Sequence, residues 1–261
     1  MFLVTLPHSG ERIPELCTWL KQLPEQVLLR DVDRFVDKLY EPVIQKLNLL
    51  NVKTEWHRYA ADLNREPSDV DQDSVEGASL PAGKMPRGFH WVITTYGEKL
   101  MPKPISQEDH KKLVNLIYTP FHQEIFSILE RNRKGKAPVW HLDLHSMPSR
   151  GTAEHRDPGD LRADIVISDF HGRSADKKFV DLVITSYVRA GFKVGYNWPY
   201  YGGKITEIYG RPDRGHHTVQ VELNRGLYMD EHSKEKNENF PKVQMKLEEA
   251  INQIYKEVVT W

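Results

Sequence analysis

The chain has 261 residues, enough for one sizeable core, and its 39% hydrophobic and 28% charged content describes a folded globular protein, not a disordered one. Its 36 basic and 37 acidic side chains leave a net charge of −1, so no basic field gathers phosphates, which argues against nucleic acid or an anionic membrane as the main partner. The one cysteine, Cys17, rules out an internal disulfide and a thiolate metal site, leaving His, Asp and Glu to hold any transition metal.

The opening apolar run, Phe2 to Leu6, is too short for a secretory leader and is followed by Pro7. No segment approaches the ~20 apolar residues of a membrane span. The expectation is a cytoplasmic protein. Strands are expected at residues 2–6, 52–56, 139–144, 164–168, 192–196 and 218–223, where short β-branched or apolar runs occur. Residues 26–50 place Val27, Leu28, Phe35, Leu39, Ile44 and Leu47 roughly on one helical face, with a break or kink expected at Pro42. A second helix opens at Ser106 and Asp109, spaced as a capping box, and carries Leu113, Ile117, Ile125 and Leu129. A third spans about 174–190 and stops at Gly191, and the last starts at Pro241 and buries Val243, Leu247, Ile251, Ile254 and Val258. This alternation predicts an α/β fold, one domain over residues 1–261, with a central, mostly parallel mixed sheet flanked by helices. The stretches 64–104 and 195–216 lack a period. Runs of that length often form lids or pocket walls, although 66–90 reads equally well as surface loop.

Three apolar runs close on chemistry: FLVTLPH on His8, VWHLDLH on His145 and TVQVE on Glu222. In open α/β sheets the carboxyl ends of strands gather in one crevice, and two imidazoles with a carboxylate there are the parts of a hydrolytic zinc site. His8 and Glu11 form H-x-x-E, which lets both reach one ion, although a histidine ending a strand is more often a hydrogen-bonded structural residue. Asp143 shares a strand face with His145, where a carboxylate would fix the imidazole tautomer. Residues 30–40 supply Asp31, Asp33 and Asp37. Asp37 reads as a solvated helix face, whereas Asp33 rivals Glu11 as the third ligand, and spacing leaves both open. Glu222 lies in an apolar run, so desolvation would raise its pKa and suit it to take a proton from water, unless it pairs with an arginine. Arg65 and Asn64 could clamp a carboxylate, and Arg58 could stabilise a negative oxygen, with a surface salt bridge as the ordinary alternative for either arginine.

These residues fall in five ordered motifs: PHSG (7–10), DVDRFVDKLY (31–40), DLNR (62–65), LDLHS (142–146), and YGGKITEIYGRP with HTVQVELNRGLYM (201–229). The set resembles the N-formylglutamate amidohydrolases, relatives of the zinc carboxypeptidases and aspartoacylases, over nearly the whole chain. The resemblance implies a zinc-carboxypeptidase-like fold and one zinc ion held by His8, His145 and an acid, Asp33 preferred and Glu11 the alternate. It implies Glu222 as general base, Arg58 as oxyanion stabiliser, and Asn64 and Arg65 as the α-carboxylate grip, with Thr206 and Tyr209 further substrate-binding candidates. The activity implied is hydrolysis of N-formylglutamate, or a similar short N-acyl amino acid, to glutamate and formate, with a role in histidine degradation. Residues 80–91 depart from the family's pattern, which bears on the acyl group and the amino acid accepted. A carboxypeptidase-like peptidase and a non-catalytic metal-binding protein are the competing readings.

Overall fold

The computed structural model describes residues 1–133 and 137–261. In chain order the elements are β1 (Phe2–Leu6), α1 (Glu25–Leu28), α2 (Val36–Lys46), β2 (Leu50–Lys53), α3 (Gln107–Leu113), α4 (Thr119–Arg133), β3 (Val139–Met147), β4 (Ile165–Ser168), α5 (Lys177–Arg189), β5 (Val194–Tyr196), α6 (Lys204–Tyr209), β6 (His216–Asn224) and α7 (Phe240–Val258). A π-helical turn, Val114–Tyr118, joins α3 to α4. The strands form one sheet in the order β2-β1-β3-β6-β4-β5. Every pairing is parallel except β4 with β6, so β4 and β5 run against the other four strands. This is the mostly parallel mixed sheet that the alternation predicts.

Strand alternation gives the sheet two unlike faces. Phe2, Val4 and Leu6 of β1, Leu142 and Leu144 of β3, and Val219, Val221 and Leu223 of β6 pack under α2, α5 and α7. The intervening residues of β3 and β6 are polar yet equally buried: His141, Asp143, His145, Thr218, Gln220 and Glu222. Burial without water requires each to find a partner. Thr5 Oγ1 donates to Asp143 Oδ1 at 2.6 Å, which leaves His141 Nε2 to donate to Thr5 Oγ1 at 2.8 Å. Thr218 Oγ1 then donates to His141 Nδ1 at 3.2 Å. The register sets Asp143 opposite Gln220 and His145 opposite Glu222, so the polar row leads to the carboxyl ends of the central strands.

Several sequence expectations shift. The helix expected over 26–50 is two helices, because residues 29–35 leave the helical path and Phe35 sits at a φ of 67° as N-cap of α2. Pro42 lies inside α2 without ending it. Proline at that position deprives the Lys38 carbonyl of its helical donor, and Gln244 Nε2 of α7 supplies one at 2.9 Å. Strand β2 begins and ends earlier than residues 52–56, and only Val52 of its four residues is buried. Ser106 caps α3 as expected, its Oγ accepting from the Asp109 amide at 3.0 Å. The aperiodic layer between β2 and α3 is neither a bare surface loop nor regular structure. It covers the polar sheet face and inserts Val75, Phe89, Trp91, Leu100 and Met101 into a second core with α3 and α4.

Candidate active site

Backbone geometry at the strand ends brings the site together. Past β1 the chain turns through Pro7–Gly10, where a Cβ on Gly10 would stand 2.4 Å from the Glu55 carbonyl carbon, so only glycine allows this close approach. The Asp33 amide donates to the His8 carbonyl at 2.9 Å, fixing the 29–35 loop beside β1. Asp33 Oδ2 consequently lies 3.5 Å from His8 Nδ1 and 3.3 Å from His145 Nδ1, and the two Nδ1 atoms are 3.1 Å apart. Behind each ring stands a carboxylate. His8 Nε2 donates to Asp62 Oδ1 at 2.7 Å, and His145 Nε2 donates to Asp143 Oδ2 at 2.8 Å. These bonds place the ring protons on Nε2 and turn both Nδ1 lone pairs inward.

The triad therefore presents three converging electron-pair donors, all buried. Asp33 Oδ2 has no hydrogen-bond donor, a costly state for a buried carboxylate oxygen. With bonds of about 2.0–2.1 Å, neighbouring ligands of a tetrahedral zinc ion stand roughly 3.3–3.4 Å apart, and the separations here match. The chemistry of the donor set and the orphaned oxygen thus fit a divalent cation. Burial raises the pKa of Asp33, but the His145 and His8 rings beside it hold it well below the usual carboxylate range. Burial likewise lowers the basicity of His145, and the Asp143 carboxylate more than offsets this, so protons compete with a cation for the ring.

Glu222 borders the same cavity. Its Oε1 accepts from Gln220 Nε2 at 2.9 Å, and the arginine ion pair considered for it does not form among the described residues. Burial pushes its pKa above the ordinary carboxylate value, against the lowering influence of the His145 charge. The cavity has a volume of about 580 Å³ and is bordered by His8, Asp33, His145, Glu222, Arg58, Asn64 and Arg65. Walls come from the two aperiodic stretches, through Asp69, Arg87, Trp91 and Thr95 on one side and Pro199–Lys204 on the other.

Arg58 is fixed in the wall. Its Nη1 donates to the Asp31 carbonyl and its Nη2 to Asp62 Oδ2, each at 2.9 Å, with its guanidinium over the Trp91 ring. Asn64 Oδ1 accepts from the Ile205 amide at 2.8 Å, leaving its Nδ2 as donor, and a Cβ on Gly203 would strike this side chain. Arg65 donates through Nε to the Arg87 carbonyl and through Nη1 to the Asn64 carbonyl, which leaves Nη2.

Three sequence candidates are not brought here. Glu11 is exposed and paired with Arg34 Nε at 3.0 Å, because the turn that carries His8 inward carries Glu11 outward. Thr206 is buried within α6, its Oγ1 spent on the Gly203 carbonyl at 2.7 Å, and it borders a separate small recess. Tyr209 packs in the second core and donates to His122 Nδ1 at 2.7 Å, while His122 Nε2 donates to the Leu63 carbonyl. Tyr209 thus braces the loop bearing Asn64 and Arg65 without bordering the cavity. Conversely, sequence reading overlooks Asp62, which accepts from His8, Arg58, the Asn64 amide and Trp91 Nε1, and lies within the DLNR motif already singled out. Burial raises the pKa of Asp62, but the charges of His8 and Arg58 hold it well below the usual range. Arg225, inside the last motif, is likewise overlooked.

Among the described residues no helix is long and apolar enough to cross a membrane. The N-formylglutamate amidohydrolase family model matches residues 1–229. An N-formylglutamate deformylase of Pseudomonas putida is 30% identical over 237 residues, covering 88% of this chain and 82% of that protein. The crystal structure of N-formylglutamate amidohydrolase from Ralstonia eutropha JMP134 superposes with a TM-score of 0.90 at 27% identity, over 99% of this chain and 94% of that one. A gene product of Agrobacterium tumefaciens shares the fold, with a TM-score of 0.73 at 17% identity over 98% and 91% of the two chains. With its motifs in order and the family model matched over most of its length, the chain belongs to the N-formylglutamate amidohydrolase family.

Proposed function

We propose that the protein hydrolyses the amide bond of N-formylglutamate, releasing formate and glutamate, at a zinc centre formed by His8, Asp33 and His145. One observation carries this reading: three buried electron-pair donors converge with no hydrogen-bond donor for Asp33 Oδ2, beside a carboxylate whose proton affinity burial has raised. The deformylase relative supports the substrate. A zinc ion there supplies Lewis acidity, polarising water and the formyl oxygen.

The protein's own groups do the rest. Glu222, its Oε1 held by Gln220, takes the water proton on Oε2 as the water oxygen attacks the formyl carbon. The same oxygen returns that proton to the amine nitrogen as the C–N bond breaks. Arg58 contributes a fixed positive charge near the oxygen that becomes negative, without reorganising. Asn64 Nδ2 and Arg65 Nη2 grip the α-carboxylate, setting the formyl group's direction. Residues 80–91 place Arg87 and Trp91 in the cavity wall, so this departure from the family pattern acts on the acyl and amino-acid pocket.

Chelation should abolish release of formate from N-formylglutamate and zinc should restore it; activity untouched by exhaustive metal removal would reject the mechanism. A panel of N-formyl and N-acetyl amino acids and short peptides identifies the preferred substrate. Faster cleavage of peptides than of N-formylglutamate would favour the peptidase reading. Glu222→Gln should retain the metal and lose about 10²-fold or more in turnover, the scale of general-base catalysis.

A further inference from the structure

The two carboxylate oxygens of Asp33 are in opposite circumstances. Oδ2 faces the two Nδ1 atoms and has no hydrogen-bond donor. Oδ1 accepts from two donors, Arg225 Nη2 at 3.0 Å and Ser146 Oγ at 3.0 Å. These donors are themselves linked, because Arg225 Nε donates to Ser146 Oγ at 3.0 Å and the serine hydrogen goes on to Asp33. Arg225 is 3% exposed and anchored by the carbonyls of Arg30 and Asp31, at 2.9 and 3.2 Å. One guanidinium thus fastens the loop that carries Asp33 to the residue following His145.

A carboxylate can ligate a cation through one oxygen or two. Hydrolytic zinc sites use three protein ligands and leave a fourth place for water, and a second carboxylate oxygen would crowd that place as a fifth donor. Here Oδ1 could reach a cation only by surrendering two hydrogen bonds, one of them charge-assisted, inside a buried site. We propose that Arg225 and Ser146 are positioning residues that restrict Asp33 to ligation through Oδ2 and so hold the remaining coordination place open for water. The proposal rests on the triad being a metal centre. It goes beyond that reading by assigning the open coordination place to two residues of the cavity lining that act through the Asp33 carboxylate.

Cobalt(II) reports coordination number through its visible absorption, so protein loaded with cobalt gives a readout independent of activity. Wild type should show the intense bands of a low-coordinate ion. Arg225→Lys keeps the charge but loses the planar fork, and Ser146→Ala removes only the hydroxyl. In each, absorption per bound cobalt should fall, by roughly two-fold or more, as Oδ1 joins the metal. A role in stability alone would change the amount of cobalt bound and not the spectrum per ion. Spectra per cobalt identical to wild type in both variants would overturn the proposal. Where Arg225→Lys fails to fold, Ser146→Ala decides, and its unchanged spectrum would overturn it equally. A wild-type protein that binds neither cobalt nor zinc would instead bring down the metal reading, and this proposal with it.

Discussion

Replacing Asp62 with asparagine tests how far the metal centre and the substrate-binding wall depend on one buried charge. Asp62 is wholly buried and accepts four hydrogen bonds, from His8 Nε2 (2.7 Å) and the Asn64 amide (2.9 Å) on Oδ1, and from Arg58 Nη2 and Trp91 Nε1 (both 2.9 Å) on Oδ2. Asparagine keeps the shape but offers one oxygen and one NH₂. Whichever way the amide turns, two donors meet a donor, each unmet bond costing about 1–3 kcal/mol. The Arg58 cation also loses its ion-pair partner, so the total should reach the roughly 3–5 kcal/mol typical of breaking a buried pair from one side. For a chain of this size that lowers the melting temperature of the metal-free protein by roughly 6–20 °C. Removing the carboxylate behind His8 should also weaken zinc binding by about 10–100-fold. Thermal unfolding of metal-free protein and chelator-competition titration measure the two effects separately, since bound metal itself stabilises the folded state. Unchanged melting temperature and unchanged zinc affinity together would refute this account of Asp62.

Acid should unfold the protein through its buried histidines. Burial holds His57, His122 and His141 at a pKa of about 4, below the 6.5 of an exposed ring, so the unfolded chain binds more protons between these values. Their contribution, on the order of 1–3 kcal/mol each, is present above pH ~6.5 and lost as pH falls toward 4. Urea titrations across that window should show falling stability, and a flat profile would contradict it. Glu11→Ala should leave zinc affinity within about two-fold of wild type, whereas Asp33→Ala should abolish tight binding; loss of zinc in the Glu11 variant would restore Glu11 as ligand. Tyr209→Phe should cost about 0.5–1.5 kcal/mol of stability, the worth of one hydrogen bond, and calorimetric melting checks that figure. A variant of full stability would remove the brace assigned to Tyr209.

What the sequence made legible was local. Strand alternation put Asp143 and His145 on one face, and the 2.8 Å bond between them follows from that two-residue spacing. The apolar runs ending in His8, His145 and Glu222 located the crevice because central parallel strands share their carboxyl ends. What was not legible depended on contacts between distant segments. Asp62 meets His8 across 54 residues and Arg225 meets Asp33 across 192, and no periodicity encodes either. Glu11 satisfies a ligand spacing yet turns away, because spacing fixes reach and not direction. Pro42 is a helix breaker by local rules, and a donor from α7 overrides them. The antiparallel course of β4 was equally hidden, since a four-residue apolar run has no direction of its own.

The central claim is a cation on His8, His145 and Asp33. X-ray diffraction on zinc-loaded crystals at the zinc edge would locate the ion by its anomalous signal. The account predicts one zinc within about 2.0–2.2 Å of His8 Nδ1, His145 Nδ1 and a single Asp33 oxygen, Oδ2. Zinc bound through the Nε2 atoms, zinc located away from this triad, or a triad that stays empty in loaded crystals would contradict it.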